Sequence, residues 1–323
     1  MQCHVAVIGC GNLGQRHIQG LGVSKSDIKV HIFDNSQESI KTCGKFIKDI
    51  ANEIGNLETK FYATTESLGK ATSCFDLVII STTANDRPTH LNSLCKSINS
   101  KAWLLEKPIC QSPDELDELI DLTKEMNIWI NHPWRFMSMH HDLKNNYLKD
   151  QEINITFSGP NIGIGCNISH FIDLVNFFTD EIPKFVDTSG LSNQWHNSKR
   201  NGFKEIDGTL ICKFSKGSKM RVVSDNNLKN FIISGTSLKT GKNFFIDDKN
   251  SKSTFDKEFI QFSKIPLQSQ LSGKVFDQIN KQGYSDLTKF TIATKCYRIV
   301  ISALLKHWQN TSGQKSDKFI PLS

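Results

Sequence analysis

The first apolar run, Val5-Ala6-Val7-Ile8, passes without a break into Gly9-Cys10-Gly11-Asn12-Leu13-Gly14, a G-x-G-x-x-G. No other stretch constrains the fold as strongly. Consecutive apolar, mostly β-branched residues predict a buried parallel strand, and Leu13, Ile18 and Leu21 then continue with helical spacing. Each glycine has a physical task. Gly9 permits the tight strand-to-helix turn, Gly11 lets backbone amides approach a pyrophosphate, and Gly14 lets the helix pack close to the sheet. Phosphates would sit at the helix start, where the unpaired N–H groups of residues such as Asn12 and Leu13 and the helix dipole favour negative charge.

A lone G-x-G-x-x-G is weak evidence, so its context decides. A second apolar run, Ile28-Lys29-Val30-His31-Ile32-Phe33, ends in Asp34, twenty residues beyond Gly14. A carboxylate there is placed to accept hydrogen bonds from an adenosine ribose. It also repels a 2′-phosphate, which favours NAD over NADP. The plainer alternative is a glycine-rich turn of another α/β protein with Asp34 as an ordinary strand-end acid. Strand, turn, helix, second strand and acid in this order favour dinucleotide binding.

Candidate strands follow at 4–8, 28–33, 60–63, 75–81, 102–105 and 128–131, with helices at 12–21, 36–53, 87–97 and 113–126. This βαβα rhythm predicts a doubly wound parallel sheet in a Rossmann domain over 1–130. The rhythm then changes. A strand at 152–157 leads through a glycine-containing loop to a helix near 168–179. Antiparallel strands are expected at 184–191, 205–214, 219–224, 230–236 and 243–247, and a final helix near 286–308. Residues 131–323 therefore form an α+β substrate-binding and oligomerisation domain with an open, mostly antiparallel sheet. A partner subunit is a common cover for such a sheet, so a homodimer or homotetramer is expected.

Composition narrows the function classes. The 323 residues are 38% hydrophobic and 22% charged, as in an ordinary soluble protein. They hold no apolar run long enough for a membrane helix. Met1 stands four residues before Val5, which leaves no room for a signal peptide, so a cytoplasmic protein is expected. The nine cysteines include no C-x-x-C and the ten histidines no H-E-x-x-H, so neither disulfides nor a metal site is expected. The net charge of +6 comes from dispersed lysines without a basic block, which argues against nucleic-acid binding.

In open α/β sheets ligands bind beyond the carboxyl ends of the strands. After the fourth strand stand Ser81-Thr82-Thr83-Ala84-Asn85, and His90 follows. Thr82, Thr83 and His90 are candidates to lie beside the cofactor. After the fifth strand comes Glu106-Lys107-Pro108, where Lys107 can reach a substrate oxygen and Glu106 lies next to the cofactor; a surface lysine paired with Glu106 is the alternative. After the sixth comes Asn131-His132-Pro133-Trp134-Arg135-Phe136. Arg135 can pair with a phosphate or carboxylate and Trp134 can stack on a sugar or base. An interdomain staple made by the same two side chains is equally open.

Taken in order, the G-x-G-x-x-G with His17 after it, Glu106-Lys107-Pro108, and a helix opening at Ser169-His170-Phe171-Ile172-Asp173 resemble the Gfo/Idh/MocA family of oxidoreductases. The resemblance covers essentially the whole chain. It implies that Lys107 contacts nicotinamide and substrate and that His170 moves the proton of the reacting hydroxyl, a task that suits imidazole. The family pattern usually has an aspartate four residues before that histidine. Here the position is Cys166, a thiol that is mostly neutral at pH 7. Asn161 and Asn167 are candidates for hydrogen bonds to sugar hydroxyls. Asp173, on the same helix face as His170, either orients it or stabilises the helix near its start. The resemblance implies an NAD-dependent oxidoreductase acting on a sugar or nucleotide-linked sugar. The alternatives are a non-redox NAD-binding sensor or regulatory protein and an NAD-assisted glycoside hydrolase.

Overall fold

A strand made only of apolar residues has no side to turn toward water, so it belongs in a sheet covered on both faces. The centres of strands β1 (Cys3–Ile8) and β2 (Ile28–Phe33) are of this kind: Val5, Ala6, Val7, Val30 and Ile32 are fully buried, although β1 also carries His4 and β2 carries Lys29 and His31. The computed structural model describes residues 2–55, 57–247, 252–261 and 267–323. Helix α1 (Asn12–Leu21) joins the two strands. Then follow α2 (Gln37–Asp49), α3 (Ala51–Ile54), β3 (Glu58–Tyr62), α4 (Thr65–Gly69), β4 (Leu77–Ile80), α5 (Arg87–Ser97), β5 (Trp103–Leu105), α6 (Pro113–Leu122) and β6 (Ile128–Ile130). The helix expected at 36–53 is broken at Ile50, whose φ of −105° and ψ of 15° leave the helical region. The short α4 was not expected, although Thr64 and Ser67 close a capping box on it.

These six strands lie side by side in the order β6-β5-β4-β1-β2-β3, all parallel. The chain builds outward from β1 to one side, then returns to build outward from β4 on the other. The order therefore reverses between β1 and β4, which places the ligand crevice of such a sheet at their carboxyl ends.

Beyond β6 come α7 (Ser138–Leu143), β7 (Ile153–Gly159), α8 (Ile164–Thr179) and β8 (Pro183–Leu191). A small ribbon, β9 (His196–Asn197) with β10 (Lys204–Glu205), precedes β11 (Gly208–Phe214), β12 (Lys219–Ser224), β13 (Ile232–Ser237), β14 (Asn243–Asp247), β15 (Lys252–Phe255) and β16 (Glu258–Gln261). Eight of these strands form a second sheet in the order β16-β15-β14-β13-β7-β12-β11-β8. All its pairings are antiparallel except that of β7 with β12. Along β7, Ile153, Ile155 and Phe157 are buried while Asn154 is exposed. The apolar face of this sheet packs under α8, and the other carries polar residues such as Asn154, Lys219 and Arg221.

Three expectations are corrected here. The strand expected at 205–214 is two strands, because the chain leaves the ribbon after Glu205 and enters the sheet only at Gly208, whose φ is +114°. The helix expected from 168 begins at Ile164. The final helix, expected from 286, is α10 (Phe290–Thr311), because Thr288 and Lys289 form β17 and pair antiparallel with β6. Before it lies an unexpected helix, α9 (Ser272–Gln282).

Two compact units divide the chain. One comprises Met1–Glu106, Glu118–Pro133 and Pro266–Phe290; the other comprises Lys107–Asp117, Trp134–Ile265 and Thr291–Ser323. Among the described residues no helix is long and apolar enough to cross a membrane.

Candidate functional site

In the first unit the glycine loop closes tightly onto β4. Gly9 has φ +88°, and a Cβ on it would stand 3.0 Å from the Thr82 methyl carbon. Ser81 Oγ donates to the Gly9 carbonyl at 2.6 Å. At Gly14 a Cβ would lie 2.0 Å from the Gly9 oxygen, so helix and turn touch backbone to backbone. Gly11 differs from both: a Cβ there would meet nothing within 4 Å. It also precedes α1 without a side-chain cap, so the opening amides of the helix are left for another acceptor. Asn12 is exposed and Leu13 half-buried.

Asp34 secures this loop from the end of β2. One carboxylate oxygen accepts from the Cys10 amide and the other from the Ser36 amide, each at 2.8 Å. Each oxygen still has a lone pair for a ribose hydroxyl. A cavity of about 400 Å³ opens beside it, lined by Gly9, Asp34, Thr82 and His90 together with the apolar Ile8 and Leu91. An uncapped helix start, open space at Gly11 and a carboxylate beside an apolar-walled cavity fit a dinucleotide. Thr83 is half-buried.

Glu106 is buried, and its carboxylate faces the interior of this unit. Its Oε1 lies 2.8 Å from His17 Nε2 and accepts from the Asn131 amide group. His17 Nδ1 in turn lies 2.9 Å from Ser272 Oγ on α9. Arg87, also buried, donates to the Glu106 and Thr82 carbonyls and ties the ends of β4 and β5 together.

In the second unit Lys107 meets the first turns of α8. Its Nζ donates to Asn167 Oδ1 at 2.7 Å and lies 3.2 Å from Cys166 Sγ. Asn167 is fixed at its other end, where Nδ2 donates to the Ile162 carbonyl at 2.7 Å. Because α8 starts at Ile164, Cys166 and Asn167 are helical, and His170 lies one turn further along the same face. The cause of the early start is Glu205 on β10. Gly163 precedes the helix without a side-chain cap, and Glu205 instead accepts from the Gly165 and Cys166 amides at 2.9 Å each. Sequence reasoning missed this residue, since nothing near Glu205 in the chain signals a helix cap. Burial pushes its carboxyl above the ordinary range, and the two amides pull it back.

Trp134 stacks on His170, with ring centres 5.7 Å apart and planes 25° from parallel, and it also packs against Phe157 and Phe171. Arg135 is engaged by Asp173 through two bonds of 2.9 Å and by Asn176 Oδ1 at 2.8 Å. Asp173 is therefore held by an arginine from outside its helix. Asn161 is exposed with φ +48°. The structure thus brings Lys107 against Cys166 and Asn167 and, one turn along α8, Trp134 against His170, whereas Asn161 makes none of these contacts.

Residues 3–132 match the GFO_IDH_MocA family model, described as an oxidoreductase family with an NAD-binding Rossmann fold. This part of the chain is similar to the Gfo/Idh/MocA family. The Gfo/Idh/MocA match ends at the close of the parallel strands, but the likeness in fold extends over the whole chain. UDP-N-acetylglucosamine 3-dehydrogenase from Acidithiobacillus ferrooxidans superposes with a TM-score of 0.70 at 14% identity, covering 94% of this chain and 97% of that one. Aldose-aldose oxidoreductase from Caulobacter crescentus, complexed with glycerol, gives 0.70 at 14% identity, with 96% and 98% covered. An oxidoreductase from Agrobacterium radiobacter, in complex with NAD+, L-tartaric acid and magnesium, gives 0.63 at 14% identity, with 93% and 94% covered. At such identities these likenesses establish the fold. No curated protein matches the sequence.

Proposed function

We propose that the chain oxidises or reduces a hydroxyl- or keto-bearing carbon of a sugar or nucleotide-linked sugar, with NAD as its cofactor. When bound, NAD accepts or donates the hydride. Gly11 and the opening amides of α1 hold its pyrophosphate and Asp34 its adenosine ribose. The charge of Asp34, followed by the neutral Asn35, disfavours a 2′-phosphate. Lys107 polarises the reacting oxygen and His170 carries its proton. One observation supports this most: the Lys107 ammonium is fixed against Asn167 and Cys166, one helical turn from the His170 imidazole. The two named sugar-acting enzymes among the similar folds support the substrate class.

Nicotinamide absorbance against a panel of sugars and nucleotide sugars tests the proposal. Lys107→Ala and His170→Ala are each expected to lower turnover by about 10²–10⁴. A second reading, a non-redox NAD-binding sensor, is favoured by Cys166 in place of a carboxylate. Tight NAD binding with no turnover on any member of the panel would overturn the first reading in favour of the second. The uncovered face of the second sheet is the surface on which copies of the chain would pair as a homodimer or homotetramer, and sedimentation measures that state.

A further inference from the structure

Glu205 carries more charge than a helix cap requires. Its side chain comes from β10 and is 7% exposed. The space it fills is made by glycines. A Cβ at Gly165 would stand 3.1 Å from one carboxylate oxygen, and a Cβ at Gly163 would stand 3.3 Å from the other. The amides it accepts from are those of Gly165 and Cys166, so the carboxylate sits against the backbone of the residue whose thiol faces Lys107. Among the described residues Lys107 bonds to Asn167 Oδ1 and Cys166 Sγ and to no carboxylate, yet its charge acts on Glu205 across this turn. Position 166 carries a thiol and no carboxylate.

The same segments are laced together by backbone. Lys204, next to Glu205, donates to the Pro321 carbonyl at 2.8 Å. Gln111, four residues beyond Lys107, donates to the Leu322 carbonyl and accepts from the Ile320 amide. One stretch of chain, Ile320–Leu322, therefore sets the spacing between the Glu205 strand and the Lys107 segment.

We infer that Glu205 is a positioning residue of this site: from outside α8 it supplies the negative charge that Cys166 does not. Through the Gly165 and Cys166 amides it also fixes the turn that presents Cys166 and Asn167 to Lys107. The inference rests on the oxidoreductase reading only for what Lys107 does; the arrangement of charges is independent of it.

The test uses the full chain and the rate of Cys166 alkylation by iodoacetamide, followed by peptide mass spectrometry. Glu205→Gln removes the negative charge beside the thiol and leaves the Lys107 ammonium unopposed. Cys166 is then expected to react several-fold faster. The buried Cys10, Cys43, Cys212 and Cys296 should stay unmodified, which reports that the variant is folded. An unchanged rate in a folded Glu205→Gln protein would reduce Glu205 to a cap and overturn the inference.

A second comparison needs no reactive thiol and holds even where Glu205→Gln is much less stable than the wild type. Cys166→Asp combined with Glu205→Gln moves the charge from one position to the other. The double variant is expected to unfold at a higher temperature than Glu205→Gln alone. Equal or lower stability of the double variant would also overturn the inference. Where a substrate is turned over, Glu205→Gln should lower kcat and leave the KM for NAD unchanged. Absence of turnover in the wild type would defeat the oxidoreductase reading and leave the alkylation and stability results standing.

Discussion

At Gly11 a methyl group would meet no atom of the protein, and the backbone there has an ordinary negative φ of −65°. Gly11→Ala should therefore change stability by no more than about 0.5 kcal/mol. The same methyl would occupy space next to the amides proposed for the pyrophosphate, so NAD affinity should fall by about tenfold or more. Calorimetric titration with NAD beside a thermal melt separates the two effects; equal NAD affinity would place the phosphates elsewhere. Asp34→Ala should behave differently. It removes the acceptor of both the Cys10 and Ser36 amides, so it should weaken NAD binding and also destabilise the protein by about 1–3 kcal/mol. The tight turn at Gly9 and the close packing at Gly14 could be read from sequence because their spacing is local. The use of Asp34 as a loop clamp could not, since its partners depend on where β2 ends against β1.

Among the elements, α8 is the clearest case of a boundary hidden from sequence. Gly163-Ile164-Gly165 has the composition of a loop, yet the helix opens at Ile164 because a carboxylate from β10 accepts the Gly165 and Cys166 amides. Asp173 on the same helix is 4% exposed and depends on Arg135, itself mostly buried, for its charge partner. Arg135→Met would take the arginine away from that buried carboxylate, at a cost of about 3–5 kcal/mol. Arg135→Met with Asp173→Leu should regain most of the loss, as measured by denaturant unfolding. If Arg135 instead holds a substrate anion, the single variant would keep its stability and lose only substrate affinity. The helix α9 also went unread. Val275, Phe276 and Ile279 have helical spacing, but Gly273 and the polar residues before it weaken the pattern.

For the whole molecule, two buried histidines set the acid limit of stability. Burial, with a smaller contribution from His4, lowers the pKa of His31 to about 4, and burial lowers that of His140 to about 4. Both are fully stabilising while the unfolded chain also holds them neutral, above a pH of about 6.5. As pH falls from there toward 4, the unfolded chain binds protons that the folded one refuses, so stability declines by roughly 3 kcal/mol for each histidine. Unfolding midpoints should fall steadily from pH 7 to pH 4.5, and His140→Asn should make the decline shallower. The parallel sheet was legible because its central strands are apolar runs, wholly so in β4, β5 and β6, that alternate with helical segments. The parallel pairing of β7 with β12 was not, because alternation along a strand reveals its buried face and says nothing of its neighbours.

The return of residues 266–290 to the first unit has a consequence for synthesis. A ribosome delivers β1 to β6 early, and then more than a hundred residues of the other unit. Until α9 and β17 emerge, His17 lacks its Ser272 partner and β6 stands as a bare edge open to stray pairing. The nucleotide-binding half, first to be translated, is among the last to be completed.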